Sequence, residues 1–159
     1  MKTPNGLQEI IETFGNIPLL AQDGIISPEE EATFLTTIPL PAPIKLSWSG
    51  QTTTKIRCHK LLAEIFKDVF QTIYNKGLWK DLKEYGGCYN FRTKRGNGNL
   101  STHSWGISID LNPNTNKMGT KGDMPLAIVA IFKAYGFIWG GDWKGKNCDA
   151  MHFQYCDKY

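Results

Sequence analysis

The fold class this sequence predicts is α+β: a small antiparallel sheet with helices packed on one side. Three observations carry that expectation. Apolar residues recur at helical spacing in several stretches, and at strand spacing in short stretches of the C-terminal half. No internal repeat and no linker divides the chain. Its 159 residues are the length of one domain, expected to span 1–159, with 1–84 a mainly helical scaffold and 85–159 the half that carries chemistry.

The elements follow in order. Leu7, Ile10, Ile11 and Phe14 share one helical face, and Gly15 ends the run. Ser27-Pro28-Glu29-Glu30 opens a second short helix, with Ser27 as N-cap, Pro28 at the first position and Glu30 closing a capping box. Residues 38–50 hold Pro39, Pro41, Pro43 and Gly50 and read as an extended connector or edge strand. Residues 56–76 form the clearest helix. Its stripe of Leu62, Ile65, Phe66, Val69, Phe70 and Ile73 belongs to the core, and Gly77 stops it. His59, near its start, reads as a solvated or capping residue. Residues 86–92 form a turn entering a strand, and 93–99 form a loop rich in Gly, Asn, Lys and Arg. In 105–111, Ile107, Ile109 and Leu111 alternate with small or polar partners, as in a half-buried strand. A helix over 125–135, a long loop over 139–146 and a strand over 149–155 complete the chain.

Composition narrows the function. The net charge of +3, from 18 basic and 15 acidic residues, is too weak to predict a nucleic-acid partner, though it suits a mildly anionic substrate. The longest apolar run, 126–132, falls far short of the roughly 20 residues of a membrane span. The start, Met1-Lys2-Thr3-Pro4, has no apolar stretch of signal-peptide length. Neither membrane insertion nor export by its own signal is expected. Cys58, Cys88, Cys148 and Cys156 form no C-x-x-C pair, so reduced thiols are expected rather than a cysteine-zinc site.

Two stretches concentrate metal-binding chemistry. His103 and Asp110 bracket the 105–111 strand, and Asp149 and His152 lie in the last strand. A zinc hydrolase needs three protein ligands drawn from imidazole and carboxylate, plus an open position for water. A bend at Gly106 would let His103 and Asp110 face one ion, and His152 would complete the set if the two strands lie side by side. Asp149 would then stand where a general base stands. Taken singly, a histidine before a strand is commonly structural, and an aspartate before Asn-Pro is commonly a turn-former. The company strengthens the set: two loops rich in Gly and Trp, and Arg92 just upstream. Lys94 and Arg95, beside His103 and several asparagines, raise a metal nuclease as an alternative. The modest basic charge speaks against it.

Ser101-x-His103-x-x-Gly106-x-x-x-Asp110, followed by Gly140-Gly141-Asp142-Trp143 and Asp149-x-x-His152-Phe153, resembles the M15 family of zinc peptidases. That family comprises D-alanyl-D-alanine carboxypeptidases and the L-alanyl-D-glutamate endopeptidases of phage endolysins. Tyr89-x-x-Arg92, the loop after it and Leu100-Ser101-x-His103-Ser104-Trp105-Gly106 are similar to the endolysin branch, as is Gly136-Phe137-x-Trp139. The likeness is dense from 85 to 154; before that only the order of helices is similar.

The resemblance implies a LAS/hedgehog-like peptidase architecture holding one Zn2+ ion. His103, Asp110 and His152 would be its ligands and Asp149 the catalytic base. Arg92 would pair with a substrate carbonyl or carboxylate. Ser101 would fix the substrate backbone. Trp105, Trp143 and Trp139 would either line the cleft or serve as core and loop-anchoring aromatics. The chemistry so implied is attack of a metal-activated water on a peptide carbonyl, with Asp149 moving the proton and Arg92 steadying the oxyanion.

The expected substrate is the peptidoglycan stem peptide, with cleavage of L-Ala–D-Glu favoured. A D-alanyl-D-alanine carboxypeptidase is the alternative. A non-catalytic wall-binding module is less favoured, since it would not need Asp149. The implied protein is a monomeric, single-domain endolysin with no wall-binding domain and no nucleic-acid partner. It would be made in the host cytoplasm without a signal peptide and act on wall peptidoglycan during lysis. Three positions depart from the family pattern: Ser108 where Ala is frequent, Ala150 where Pro is common, and Gln154 where an acid is often seen.

Overall fold

The computed structural model describes residues 1–94 and 98–159. Among them run α1 (Gly6–Phe14), α2 (Pro28–Phe34), β1 (Leu35–Lys45), β2 (Thr52–His59), α3 (Ala63–Asn75), β3 (Tyr85–Gly87), β4 (Ser108–Leu111), α4 (Leu126–Ala134), β5 (Ile138–Trp139) and β6 (His152–Gln154). The architecture is α+β. β1 and β2 form a two-stranded sheet, and the other four strands form an antiparallel sheet in the order β3-β4-β6-β5.

Local sequence accounts for most of these elements. α1 buries Ile10 and Phe14 and stops at Gly15. α2 starts on a complete capping box: the Glu30 amide donates to Ser27 Oγ, and the Ser27 amide donates to Glu30 Oε2, each at 3.2 Å. α3 buries Phe66, Val69, Phe70 and Ile73 along one stripe. α4 is apolar on most sides and buries Ile128, Val129, Ile131 and Phe132. No helix among the described residues is long and apolar enough to cross a membrane.

Several expectations change. The expected 56–76 helix starts late, because Thr52–His59 is a strand paired antiparallel with β1, from Leu35 opposite His59 to Lys45 opposite Thr52. Thr52, Thr53, Thr54 and Ile56 are β-branched and suit a pleated edge; the helical stripe begins only at Leu62. The 38–50 connector is the partner strand, and its register shifts between Pro39 and Ile44, where prolines lack ladder donors. The N-terminal half is therefore helices plus a long hairpin. His59 caps a turn as expected but is buried rather than solvated. Its Nδ1 accepts from the Leu61 amide and its Nε2 lies 3.1 Å from Phe14 O, while burial pushes its pKa down to about 4. The 105–111 strand shortens to Ser108–Leu111, and the 149–155 strand to His152–Gln154.

The four-stranded sheet divides chemistry from core. Ile109 pairs with Phe153 on one face; Ser108 with Gln154 and Asp110 with His152 lie on the other. Phe153 stacks on Phe132 of α4 with ring centroids 4.2 Å apart, and Phe132 meets Phe70 of α3 edge-on. The helices thus cover the apolar face and leave the polar face open. The four cysteines are free thiols; Cys58 and Cys156 are buried, which pushes their pKa values up to about 12 and leaves them inert.

Gly106 ties the two halves together. Its φ is +67°, and a Cβ there would sit 2.9 Å from His59 N and from Leu35 Cδ2. Gly106→Ala is expected to destabilise the fold by about 2–4 kcal/mol, combining left-handed strain with overpacking. Ser27→Ala, which removes the capping box on the far side, should cost about 1 kcal/mol. Urea unfolding of both variants measures this; equal costs would mean that the chain near Gly106 yields freely.

Candidate metal centre

Strand register builds the first half of the centre. The Leu111 amide donates to Met151 O and the Tyr155 amide to Ile107 O. Asp110 and His152 therefore face each other at a non-hydrogen-bonded pair, the position where cross-strand side chains approach most closely. His152 Nδ1 lies 2.9 Å from Asp110 Oδ1.

A 3-10 turn, Thr102–Trp105, supplies the other histidine. Ser101 caps it by accepting from the His103 amide, and left-handed Gly106 ends it. His103 Nε2 comes to 3.2 Å from His152 Nδ1 and 3.3 Å from Asp110 Oδ2. The three candidate ligand atoms lie within 4.8 Å of one another. Both histidines are buried.

The far side of each ring is tied down. His103 Nδ1 sits 2.7 Å from the Cys88 carbonyl oxygen, and His152 Nε2 sits 3.0 Å from Gln154 Oε1. Those oxygens only accept, so each ring carries its proton there, leaving a lone pair aimed at Asp110 once the ring is neutral. Two imidazoles and one carboxylate converging in this way are the donor set of a catalytic zinc site. The residues fit a divalent cation.

Charges around the cluster are pushed apart. For Asp110, burial works upward, but the charge of His103 and hydrogen bonds from both histidines outweigh it and hold the carboxyl well below its usual range. For His152, burial works downward, and the hydrogen bond and charge of Asp110 win, raising its pKa. Asp149 goes the other way: burial, assisted by Asp110, pushes it up to about 6.

Asp149 sits in the turn before β6 rather than in a strand. Its amide donates to Gly140 O at 2.9 Å, and its carbonyl accepts from the His152 amide. The contact with Gly140 is so close that a Cβ on that residue would lie 2.4 Å from Asp149 O, which accounts for a glycine there. Asp149 Oδ1 is buried and has no hydrogen-bond partner among the described residues.

These groups line a cleft of about 770 Å3, together with Arg92, Ser101, Trp143 and Gln154. Arg92 follows β3 in irregular chain, not on a strand. Its amide donates to Ser104 Oγ and its carbonyl accepts from the Ser101 amide, so its backbone is bound to the His103 turn. Trp143 lies beside His152, with ring centroids 5.7 Å apart. Lys94, Lys144 and Met118 also border the cleft and were not singled out as site residues from sequence, because isolated loop residues carry no spacing signal. Arg95, invoked for the nuclease alternative, lies outside the described residues.

Trp105 needs correction. It is fully buried, its indole donates to Gly15 O at 2.9 Å, and it does not border the cleft. It anchors the turn from behind, so it cannot touch a substrate. Trp139 likewise donates to Ala150 O and stacks on Phe153 in the core.

Two buried histidines and a partly buried aspartate at the wall of a cleft, beside an acid whose Oδ1 has no hydrogen-bond partner among the described residues, define the class: a candidate mononuclear metallohydrolase. The family model described as D-alanyl-D-alanine carboxypeptidase, an M15 peptidase family, matches residues 95–155, the stretch that holds His103, Asp110, Asp149 and His152. Over that stretch, less than half of the chain, the protein is similar to M15 peptidases. Arg92 and everything before residue 95 fall outside it.

A metal ion and a proton would compete for His152. Its raised pKa stabilises the metal-free fold below the ordinary value of 6.5, and that contribution is lost as pH rises through the raised value. Raised Asp149 removes stability as pH climbs from 3.8 to about 6. Depressed Asp110 contributes above 3.8 and fails only in stronger acid. The Tm gained on adding zinc, relative to chelator-treated protein, should therefore grow from about pH 5.5 to about pH 8. Thermal scans with and without zinc test this, and a gain independent of pH would argue against His152 as a ligand. His103→Ala should erase the zinc-dependent gain.

Proposed function

We propose that the protein is a zinc-dependent peptidoglycan peptidase that hydrolyses the L-Ala–D-Glu bond of the stem peptide, and that residues 1–159 act as one catalytic unit. The convergence of His103, Asp110 and His152 within 4.8 Å carries the reading. The M15 family match over 95–155 supports the wall peptide as substrate. The likeness of the Tyr89 to Gly106 tract to endolysins supports a role in phage-driven lysis, acting on the wall as a monomer.

His103, Asp110 and His152 would hold the ion. When bound, it supplies Lewis acidity, polarising a carbonyl and acidifying a water. Asp149 has the properties of a general base: unpartnered Oδ1, a place in the cleft, and a pKa raised to about 6 by burial. It takes a proton from the attacking water and returns it to the leaving amine. Arg92, exposed at the cleft, carries the charge that would meet a carboxylate or developing oxyanion. Trp143, beside His152, offers an apolar wall to the alanyl side, and Ser101 borders the same cleft.

A second reading, D-alanyl-D-alanine carboxypeptidase, is favoured by the printed description of the matching family. In both substrates the residue that leaves as the amine bears a free carboxylate on its α-carbon, so Arg92 serves either. Mass spectrometry of fragments released from purified peptidoglycan separates them: free D-alanine alone would replace the endopeptidase reading with the carboxypeptidase one. No release in the presence of zinc would sink both.

Asp149→Ala should keep zinc uptake and lower kcat by about 10²–10⁴-fold, the worth of a positioned base. Activity within a few-fold of wild type would remove Asp149 from that role.

A further inference from the structure

The side chain of Gln154 is buried on the polar face of β6, opposite Ser108. Its amide orientation is fixed by its neighbours. Nε2 donates to Cys156 O at 3.0 Å, an atom that can only accept. Oε1 therefore faces His152 Nε2 at 3.0 Å and the Thr102 hydroxyl at 3.4 Å. The Ser108 hydroxyl donates to Thr102 Oγ1, which commits the Thr102 proton to Gln154. A flipped amide would set oxygen against the Cys156 carbonyl and lose both bonds at the other end.

We propose that Gln154 is a positioning residue: its oxygen holds the His152 proton on Nε2, which leaves Nδ1 as the nitrogen that takes the metal. This rests on the metal-centre reading above and extends it to a residue that never touches the ion. The alternative tautomer would place a bare Nε2 against a carbonyl-type oxygen, two acceptors with no proton between them. It would also put a hydrogen on Nδ1, which Asp110 Oδ1 at 2.9 Å accepts in the metal-free protein, so the bound cation and Gln154 Oε1 together select the Nε2–H form. Because the amide is neutral, the donor set keeps one negative charge, that of Asp110. The Ser108–Thr102–Gln154 chain links this to the turn bearing His103, whose own ring is held separately by the Cys88 carbonyl.

The test compares wild type with Gln154→Met, which keeps the volume and loses the acceptor, and Gln154→Glu, which keeps an acceptor. Zinc affinity is measured by competition with a chromogenic chelator, and ring-nitrogen protonation by long-range proton–nitrogen NMR. Zinc affinity should fall about 10–100-fold in Gln154→Met, the usual cost of losing such a partner, and stay within about 10-fold of wild type in Gln154→Glu. In zinc-loaded wild type, the His152 Nε2 should carry a proton. Wild-type affinity in a folded Gln154→Met, or a bare Nε2 in zinc-loaded wild type, overturns the proposal. If either variant fails to fold, the wild-type spectrum still decides. If wild type takes up no zinc, the metal-centre reading fails and the proposal falls with it, whereas zinc uptake with a bare His152 Nε2 overturns the proposal alone.

Discussion

The site depends on one register: Asp110 opposite His152, at a non-hydrogen-bonded pair of β4 and β6. What holds that register is apolar. Phe153 stacks on Phe132 and Trp139, and Ile109 pairs beside it without exposure. A slip of one residue would turn Ile109 and Phe153 toward the cleft and press Asp110 and His152 against α4. Burying those groups in an apolar layer would cost several kcal/mol. The packing that excludes the slip is therefore what brings the two polar side chains together. The C-terminal half needs no special device to place its ligands beyond a core with the right period.

His103 is placed by different means. It is not on a strand, and nothing periodic positions it. Its turn is capped by Ser101, ended by Gly106, and joined to the chain after β3 through the Cys88 carbonyl and the Asn90 amide. The N-terminal half props this turn from behind: the His59 amide donates to Gly106 O, and Trp105 donates to Gly15 O. Scaffold and site are thus mechanically one unit. That explains why Trp105, which sits inside the site motif, is buried and structural. A motif stores the residues that hold a ligand as well as the ligand, and spacing alone does not tell them apart.

The same distinction governs what was legible in the sequence. The helices at 7–14 and from Ser27 could be read because caps and stripes are local. The alternation of Ile107, Ile109 and Leu111 marked one strand, but its adjacency to the strand of His152 was only a condition that a complete ligand set would require. The β1–β2 hairpin was lost for a physical reason. Prolines at 39, 41 and 43 argue against a ladder, and the hairpin survives by shifting register across them. Residues 56–59 of the strand that follows were absorbed into the helix beside it, whose stripe is stronger, and the threonines before them were left unassigned. Gln154 was visible only as a departure from pattern, since its role depends on where the Cys156 and Thr102 oxygens lie. Hydrogen-bond partners across a sheet leave no mark in linear spacing.

Two aspartates near the same histidines end with opposite charge behaviour. Asp110 has a ring nitrogen of each histidine within 3.3 Å, and the charge those rings can carry holds it ionised far into acid. Asp149 is half-buried, its Oδ1 has no hydrogen-bond partner among the described residues, and it feels Asp110 as a like charge. Their environments divide the labour that two identical side chains could not divide by themselves: one is a permanent anion suited to hold a cation, the other a base able to gain and lose a proton near neutrality. The division follows from backbone geometry. Asp110 lies within a strand, opposite His152, where ring nitrogens reach it from two sides. Asp149 lies in the turn that leads into β6, where its backbone is fully engaged with Gly140 and His152 while its side chain is left to the cleft.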